Sequence, residues 1–382
     1  MTDASSPGVR SGDRERRPPV AVVMSNADDA RQQKLVRALR RHGYPTTVLA
    51  FSRYDYYRAN TEDMSILGVL EHESYLARVP VYLRGLQRLR RGLHGAEVAI
   101  VFSSEHALLV RAAMALSRLK PRIVREFGDV PRTVDGSGWI PALARSIERC
   151  GLRFSSAVVV TAEGFVDDYL RNRMGYAGPV TILPNKSDLP YRPDSEWVPP
   201  EGGLRLEILY PGLLRCRHSV DVLLAVARAA PHDISVTVCG HNLTGREISE
   251  RDNLRFLGPF RSPEDLDRLY GASHVVYSGY PYEPSRSNYA LARTIRFHDS
   301  IIFGRPQIAH EGTADGAHVT SEELGIVIDP SDPDAAAQRI ASVSIESWER
   351  YAANARRMAS RWTTYDEDLT AVLAELGLST SE

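Results

Sequence analysis

Short runs of consecutive apolar residues alternate with longer helical patterns along this chain, and this alternation constrains the fold more than any other sequence feature. Such runs are typical of strands that are buried on both faces of a parallel sheet. Strands that alternate with helices form right-handed βαβ units, so the pattern predicts α/β domains with doubly wound parallel sheets. The predicted strands are residues 20–24, 46–51, 98–102, 123–125, 157–160, 206–210, 234–239, 275–277, 307–310 and 325–328.

One stretch, residues 185–203, interrupts the alternation and is rich in Pro, Asp and Gly. This composition is typical of a linker, and 382 residues suffice for a domain on each side of it. Two facing α/β domains leave a cleft where the carboxyl ends of their strands meet. The predicted divisions are a disordered tail (1–18), a first domain (19–185), a linker (186–203), a second domain (204–345) and a C-terminal helical stretch (346–382) that packs back across the domains.

Charge balance and cysteine content argue against several classes of protein. With 47 basic and 48 acidic residues the formal net charge is −1, so we expect no nucleic-acid partner. The three cysteines are far apart in the sequence and indicate neither a disulfide framework nor a zinc site. The first apolar run is too short for a signal sequence or a membrane span. We therefore expect a cytoplasmic protein without a transmembrane segment, for which peripheral membrane contact stays open.

Several segments resemble a known family. In the first half these are VVMSNADDARQQKLVRALRRHGYPTTVLAF, IVREFGDVPR, SSAVVVTAEGFVDDYL and VTILPNK, and in the second half LYPGLLRCRHSVDVLL and NLRFLGPFRSPEDLDRLY. Over roughly residues 20–345 the chain resembles the retaining family 4 glycosyltransferases of the GT-B type, in particular a bacterial surface-polysaccharide and natural-product branch. The resemblance implies two facing Rossmann-like domains. The first would bind mainly the acceptor, and the second a nucleoside-diphosphate sugar.

The segment SNYALARTIRFHDSIIFGRPQIA bears most directly on the donor. The branch usually has Asn-Tyr, then Pro-Asn-Lys, then Glu, followed by a Gly-x-Pro turn. This chain keeps the Asn-Tyr pair at Asn288 and keeps the turn, but Thr294 and Ile295 replace Pro-Asn. Arg296 stands at the Lys position and Asp299 at the Glu position. The resemblance thus implies that Asn288 belongs to the donor site, that Arg296 meets a phosphate, and that Asp299 accepts hydrogen bonds from ribose hydroxyls.

A leaving diphosphate needs positive counter-charge, which arginines and helix N-termini supply when no metal does. The loop with Arg215, Arg217 and His218 follows a predicted strand and precedes a helix. We therefore predict that these three residues bind the diphosphate. The alternative is a solvated loop in an arginine-rich chain. A helix is predicted around residues 290–303, and Arg293, Arg296 and Asp299 recur on it every three residues and so share one face. For Arg296 and Asp299 the alternative is a surface ion pair.

Two carboxylates, Glu126 and Asp129, follow the predicted strand at 123–125. Carboxylates at a strand end can face a cleft, and one of them could accept the proton of the acceptor hydroxyl. Glu126 and Asp129 are therefore the candidate catalytic residues. In the alternative, Asp129 caps the next turn and Glu126 pairs with Arg125 or Arg132. Further residues predicted to line the cleft are Asn26, Gly240 and His241.

Two Asp-x-Asp patterns, at 332–334 and 366–368, match those of metal-dependent transferases. The first reads as a helix cap and the second lies within a predicted helix, so we predict no metal site. The sequence therefore predicts a glycosyltransferase without a cofactor, whose co-substrate is a nucleoside-diphosphate sugar and whose acceptor is a small molecule or a glycan. The alternatives are a nucleotide-sugar epimerase of the same architecture and a non-catalytic binding relic.

Overall fold

Two parallel sheets organise the part of the chain that the computed structural model describes, which is residues 17–53, 63–70, 75–187, 189–192, 195–200 and 205–378. The first sheet contains β1 (Val20–Met24), β2 (Thr46–Arg53), β3 (Ser65–Leu70), β4 (Val98–Val101), β5 (Arg122–Phe127), β6 (Ala157–Val160) and β7 (Val180–Ile182). Their spatial order is β3-β2-β1-β4-β5-β6-β7. The order reverses direction at β1, as a doubly wound sheet requires.

Helices cover both faces of this sheet: α1 (Ala30–Arg41), α2 (Tyr75–Gly92), α3 (Ser104–Ala115) and α4 (Trp139–Arg153), with a 3₁₀ turn at Arg132–Val134 and a π-helix at Phe165–Arg173. Successive strand residues point to opposite faces. Val20 and Val22 accordingly pack in the cluster that contains α1, whereas Ala21 and Val23 pack on the side of α2 and α3. Asp29 caps α1, because its side chain accepts a hydrogen bond from the backbone N–H of Gln32.

The second sheet contains β8 (Leu206–Pro211), β9 (Ile234–Cys239), β10 (Leu254–Gly258), β11 (Val275–Tyr277), β12 (Gln307–His310) and β13 (Gly325–Ile328), in the order β10-β9-β8-β11-β12-β13. Its helices are α5 (Arg217–Ala229), α6 (Leu266–Gly271), α7 (Ser287–Leu291), α8 (Ile295–Ile302), α9 (Ala314–Ser321) and α10 (Pro333–Ala341). The prediction of two α/β domains with doubly wound parallel sheets is confirmed.

The C-terminal stretch is two helices, α11 (Ile345–Ala359) and α12 (Tyr365–Glu375), and not the single helix expected. Thr364 begins α12 with a capping box, in which its side chain and that of Glu367 satisfy each other's backbone N–H groups. Helix α11 packs on the second domain, where Trp348 is buried. Helix α12 packs on the first domain, with Leu369 and Leu373 beside β1 and α1. The chain therefore crosses back from one domain to the other.

Three strands, β3, β7 and β10, are absent from the sequence prediction. All three lie at sheet edges. An edge strand is covered on fewer sides, so it lacks the all-apolar run; burial in β10, for example, alternates along the strand. Of the predicted tail, residues 1–16 lie outside the described residues, and the described residues of the predicted linker contain neither helix nor strand. No helix in the described ranges is long and apolar enough to cross a membrane.

The packing of α12 on the first domain leads to a testable expectation. Leu373→Ala should lower the free energy of unfolding by about 2–5 kcal/mol, because it leaves a cavity between α12 and the first sheet. Leu257→Ala is the matched control: that leucine is half exposed on β10, so its truncation should change stability by less than about 0.5 kcal/mol. Urea denaturation measures both, and equal effects would show that α12 is not part of the first domain's core.

Candidate active site

A cavity of about 870 Å³ lies between the two domains, at the carboxyl ends of both sheets. Its first-domain wall comes from the segments after β1, β5 and β6. Its second-domain wall comes from the segments after β8, β10 and β11 and from the start of α8. Five arginines line it, and four carboxylates face them. These residues are Arg31, Arg215, Arg261, Arg293 and Arg296, with Asp28, Asp129, Glu264 and Asp299.

Arg296 lies in the first turn of α8 and is only 8% exposed. Its Nη2 donates a hydrogen bond to the Gly279 carbonyl at 2.8 Å, and its guanidinium lies 4.7 Å from the centroid of the Tyr210 ring. Gly212 has a φ of +144°, and a Cβ there would come within 2.7 Å of the Arg296 Nη1. Glycine therefore makes room for this guanidinium. The Nε of Arg296 is buried without a hydrogen-bond partner among the described residues, so the side chain can bind a further acceptor.

Asp299 follows one turn later on α8 and is also buried. Its Oδ1 has no hydrogen-bond partner in the described part of the chain. Burial raises the pKa of this carboxyl to about 6, although the Ser187 hydroxyl and the Lys34 charge act in the opposite direction. A ligand that brings hydroxyl donors would relieve this unpaired acceptor. The alternative of a surface ion pair between Arg296 and Asp299 is wrong, because both side chains are buried.

Arg293 does not share their helix face, although the three-residue spacing predicts that it does. Thr294 is the N-cap of α8, and its side chain accepts a hydrogen bond from the Phe297 N–H, so Arg293 precedes the helix. The single helix expected around residues 290–303 is in fact α7 and α8, separated at this cap. Arg293 still lines the cavity, and its Nη2 lies 2.7 Å from the Nδ1 of His318.

Of the loop residues expected at the diphosphate, Arg215 lines the cavity, whereas Arg217 and His218 do not. The Nε of Arg217 donates to the Thr244 carbonyl at 2.9 Å, and the His218 ring packs edge-on against Tyr282. The reason is that α5 begins at Arg217, so Arg217 and His218 belong to its first turn. Both residues therefore lie off the cavity wall, and their role at the diphosphate stays a prediction.

Asn288 also lies away from the cavity wall, because its amide joins the two domains. Its Oδ1 accepts a hydrogen bond from the Val130 N–H at 2.6 Å, and its Nδ2 donates to the Val130 carbonyl at 3.1 Å. Next to it, the Ser287 hydroxyl donates to Asp135 at 2.6 Å, and Arg173 pairs with the same carboxylate at 2.8 Å. Asn288 thus contributes to the contact between the domains, and its role in donor binding stays a prediction.

On the acceptor side, Asp129 and Glu126 occupy different environments. Asp129 is 60% exposed on the cavity wall, and the Tyr280 hydroxyl donates to its Oδ1 at 3.3 Å. Glu126 is buried off the wall, with its Oε1 3.5 Å from the Nε of Arg31. Burial raises the pKa of Glu126, while the Arg31 charge opposes the rise. Arg31 crosses the space above Gly128, where a Cβ would clash with the Arg31 Nη1.

Glu126 pairs with Arg31 and with neither of the two arginines that the sequence suggests as its partner. Arg125 pairs instead with the buried Glu148 at 2.6 Å, and Arg132 pairs with Glu283 across the domains at 3.1 Å. Arg31 is not among the predicted site residues, although it lies in the first of the segments that resemble the family. Also missed are the cavity residues Arg261, Arg293 and Tyr280.

The three residues expected to line the cleft do not line this cavity. The Asn26 side chain accepts a hydrogen bond from the Asp28 N–H at 3.4 Å. Gly240 packs so closely against Gly212 that a Cβ at Gly240 would lie 1.9 Å from the Gly212 carbonyl oxygen. The His241 carbonyl accepts a bond from the Leu214 N–H, which holds it in the loop next to the sheet.

Three carboxylates of the two Asp-x-Asp patterns have partners within the protein: a helix N-terminus or a basic side chain. Asp332 caps α10 by accepting from the Ala335 N–H, Asp366 pairs with Arg41 at 2.8 Å, and Asp368 pairs with Lys186 at 2.6 Å. Among the residues that the structure describes, no group of three or more His, Cys, Asp or Glu side chains is arranged to hold a metal ion.

Comparison with known proteins gives a consistent result. Residues 29–186 match a family model described as a glycosyl transferase 4-like domain. Succinoglycan biosynthesis protein ExoL of Rhizobium meliloti (strain 1021) is 24% identical over 281 residues, which are 70% of this chain and 69% of that protein.

Solved structures extend the similarity over both domains. Sucrose-phosphate synthase from Thermosynechococcus elongatus superposes with a TM-score of 0.70 at 16% identity, covering 95% of this chain and 100% of the other. Anabaena HepE, solved with UDP and glucose, superposes with a TM-score of 0.64 at 13% identity, covering 94% and 99%. At these identities the match establishes the fold.

The raised pKa of Asp299 has a measurable consequence for the ligand-free protein. A carboxyl whose pKa rises on folding lowers stability as pH increases, because the unfolded chain ionises first. Asp299→Asn removes this effect, so the variant should gain stability relative to the wild type between pH 4 and pH 7, by up to about 3 kcal/mol for a shift from 3.8 to about 6. Urea denaturation across this range tests it, and a difference independent of pH would contradict the burial of a titrating carboxyl.

Proposed function

The chain is a glycosyltransferase of the GT-B fold with a glycosyl transferase 4-like first domain, and from this premise we propose what it transfers and how. A sugar moves from a nucleoside-diphosphate donor held by the second domain to a hydroxyl of an acceptor held mainly by the first. The configuration at the anomeric carbon is retained. The observation that carries the proposal is the buried pair Arg296 and Asp299, one turn apart on α8, each with an unpartnered polar atom among the described residues.

These two side chains match the two parts of a nucleoside diphosphate. A guanidinium forms charge-assisted hydrogen bonds with phosphate oxygens, and a carboxylate accepts hydrogen bonds from ribose hydroxyls. Arg215 faces the same cavity from the loop before α5 and adds positive charge for the leaving diphosphate. The N-terminus of α8 contributes partial positive charge to the same region. Together they support a transfer in which no metal ion is needed to stabilise the leaving group.

Uridine is the first donor base to test. Anabaena HepE was solved in complex with UDP-glucose, and it is similar to this chain in fold. The cavity wall after β10, residues 259–262, offers the peptide groups and the Phe260 ring that a base could contact. We therefore propose a UDP-sugar as the donor.

On the acceptor side, Asp129 is the carboxylate best placed to accept a proton. It is exposed on the cavity wall opposite the α8 pair, whereas Glu126 is buried behind Arg31. We assign Glu126 a positioning role: its charge holds the Arg31 guanidinium over Gly128, and Arg31 also approaches Asp129 to 4.0 Å. The acceptor hydroxyl would then lie between Asp129 and the donor.

Product analysis tests the reaction itself. Incubation with a UDP-sugar and candidate acceptors should give a new glycoside with the donor's anomeric configuration, which NMR spectroscopy can assign. Excess chelator should leave the initial rate unchanged, because arginines and a helix terminus supply the counter-charge. An isomeric nucleotide sugar as the product would indicate an epimerase, and the absence of any product with bound UDP would indicate a binding relic.

Arg215→Ala tests the assignment of the donor site without disturbing the core, because Arg215 is exposed. Losing its charge-assisted bonds should weaken UDP binding about tenfold, or about 1.5 kcal/mol, as measured by calorimetry. Arg217→Ala is the control two residues away: it is equally exposed but bonds to Thr244 outside the cavity. Equal losses in both variants would mean that the effect comes from overall charge and not from the cavity.

Asp129→Asn and Glu126→Gln separate the two acceptor-side roles. Asp129→Asn should lower kcat by about 10²–10⁴, the usual contribution of a general base, and leave UDP binding intact. Glu126→Gln should lower kcat less than Asp129→Asn does. It should also change KM for the acceptor, because Glu126 acts through Arg31. The reverse order of effects on kcat would identify Glu126 as the proton acceptor and refute the assignment of Asp129.

A further inference from the structure

The outer surface of α4 exposes large apolar side chains to solvent. Trp139 is 76% exposed, and Ile140 and Leu143 are each 53% exposed. Ile147 follows one turn after Leu143, and this spacing places all four on one side of the helix. The opposite side of α4 packs against the first sheet through Leu152. A helix that only covers a sheet needs one apolar side, so the second apolar side calls for another partner.

The apolar side of α4 continues to its C-terminal end, where Phe154 is also exposed. We call Trp139, Ile140, Leu143, Ile147 and Phe154 the α4 ridge. At 1.5 Å per residue, 15 helical residues give it a length of about 22 Å along the protein surface. Because all five side chains are 38–76% exposed, the α4 ridge presents an apolar strip that a broad, deformable surface can cover along its whole length.

The exposed charged side chains of α4 and the charged side chain that contacts Phe154 are all basic. Arg149 and Arg153 lie on the adjoining side of α4, and Arg111 of α3 lies 5.5 Å from the centroid of the Phe154 ring. None of these three pairs with a carboxylate in the described part of the chain. Glu148 is the acidic residue of α4, and it is buried against Arg125. Helix α2, which contacts α3, contains five arginines, of which Arg78 is buried and pairs with Glu105 of α3.

We propose that the α4 ridge docks this protein on an anionic phospholipid bilayer. Tryptophan and branched apolar side chains partition into the headgroup region, while neighbouring arginines bind lipid phosphates. A second copy of the chain suits the ridge less well. A two-fold dimer would place the ridge against itself and bring the same arginines together. The bilayer supplies both the apolar medium and the negative charge.

Docking in this way would bring the cavity to the membrane surface. Helix α4 begins ten residues after Asp129, and the connecting segment, residues 128–135, contributes to both the cavity wall and the contact between the domains. The docking proposal stands on the α4 ridge alone and does not depend on the identity of the donor or acceptor.

Co-sedimentation of the full chain with phosphatidylcholine vesicles, with and without phosphatidylglycerol, tests the proposal. Binding should be at least tenfold tighter when phosphatidylglycerol is present and should weaken as salt screens the arginines. The variant Trp139→Ser/Leu143→Ser should lose at least tenfold in affinity. The control Val198→Ser/Leu257→Ser removes two similarly exposed apolar side chains from the linker and the second domain, and it should bind like the wild type.

Tryptophan emission gives a second readout at one residue. Trp197 and Trp348 are buried in the second domain, whereas Trp139 is mostly exposed. Emission should therefore shift to shorter wavelength when anionic vesicles are added to the wild type, and this shift should disappear in Trp139→Phe. UDP binding by each variant, measured without lipid, should match the wild type, because no changed residue lies in the cavity.

Three results would overturn the proposal. The first is that the wild type binds both kinds of vesicle with equal affinity or binds neither kind. The second is that Trp139→Ser/Leu143→Ser binds the vesicles as tightly as the wild type does. The third is a dimer, detected by sedimentation equilibrium, that this double variant dissociates while the wild type ignores vesicles. That last result would assign the α4 ridge to a second copy of the chain.

Discussion

The cleft depends on contacts that hold the carboxyl ends of two parallel sheets face to face. Asn288 of the second domain makes two hydrogen bonds with the backbone of Val130 in the first, and the Ser287 hydroxyl bonds to Asp135 beside it. Beside them, Arg132 of the first domain pairs with Glu283 of the second, and Arg286 of the second domain donates a hydrogen bond to the Arg132 carbonyl. Because these contacts connect segments distant in sequence, they determine the width of the cavity and the distance between its two walls.

Burial of polar groups at the cavity lowers the stability of the ligand-free protein and strengthens the binding of a complementary ligand. Arg296, Asp299 and Asp315 are all buried, and burial raises the pKa of the Asp315 carboxyl to about 6. Asp315 accepts a hydrogen bond from the Thr294 N–H at 2.9 Å and so fixes the start of α8. Unpaired donors and acceptors in such a rigid setting lose little freedom when a ligand arrives. The local instability of the free site thus becomes affinity for a ligand of complementary charge.

A single segment, residues 128–135, connects three features of the protein. Its first residues form the cavity wall at Asp129, its middle bonds to the second domain at Val130, and α4 begins shortly after it. This segment is therefore affected by a ligand in the cavity, by a change in the contact between the domains and by binding at the α4 ridge. Ligand binding in the cavity and the contact between the domains are therefore expected to be energetically linked.

The sequence by itself determines the fold class, because an all-apolar run reflects burial on both faces and needs no knowledge of its neighbours. It also indicates which residues stand at the carboxyl ends of strands, and this is why Asp129 and Arg215 were identifiable as candidates. Arg296 and Asp299 were identifiable because their segment resembles the family's donor-site segment. It could not show that Arg31 covers Gly128 or that Asn288 bonds to Val130.

Those arrangements were decided by the tertiary structure alone. Asn288 and Val130 are 158 residues apart, and an asparagine carries the same donor and acceptor whether it meets a ligand or a distant backbone. Likewise, Arg296 and Arg217 are the same residue type in the first turn of a helix, yet one is buried in the cavity wall and the other bonds to a loop. Residue type and local pattern state what a side chain can bind; only the packing of distant segments decides what it does bind.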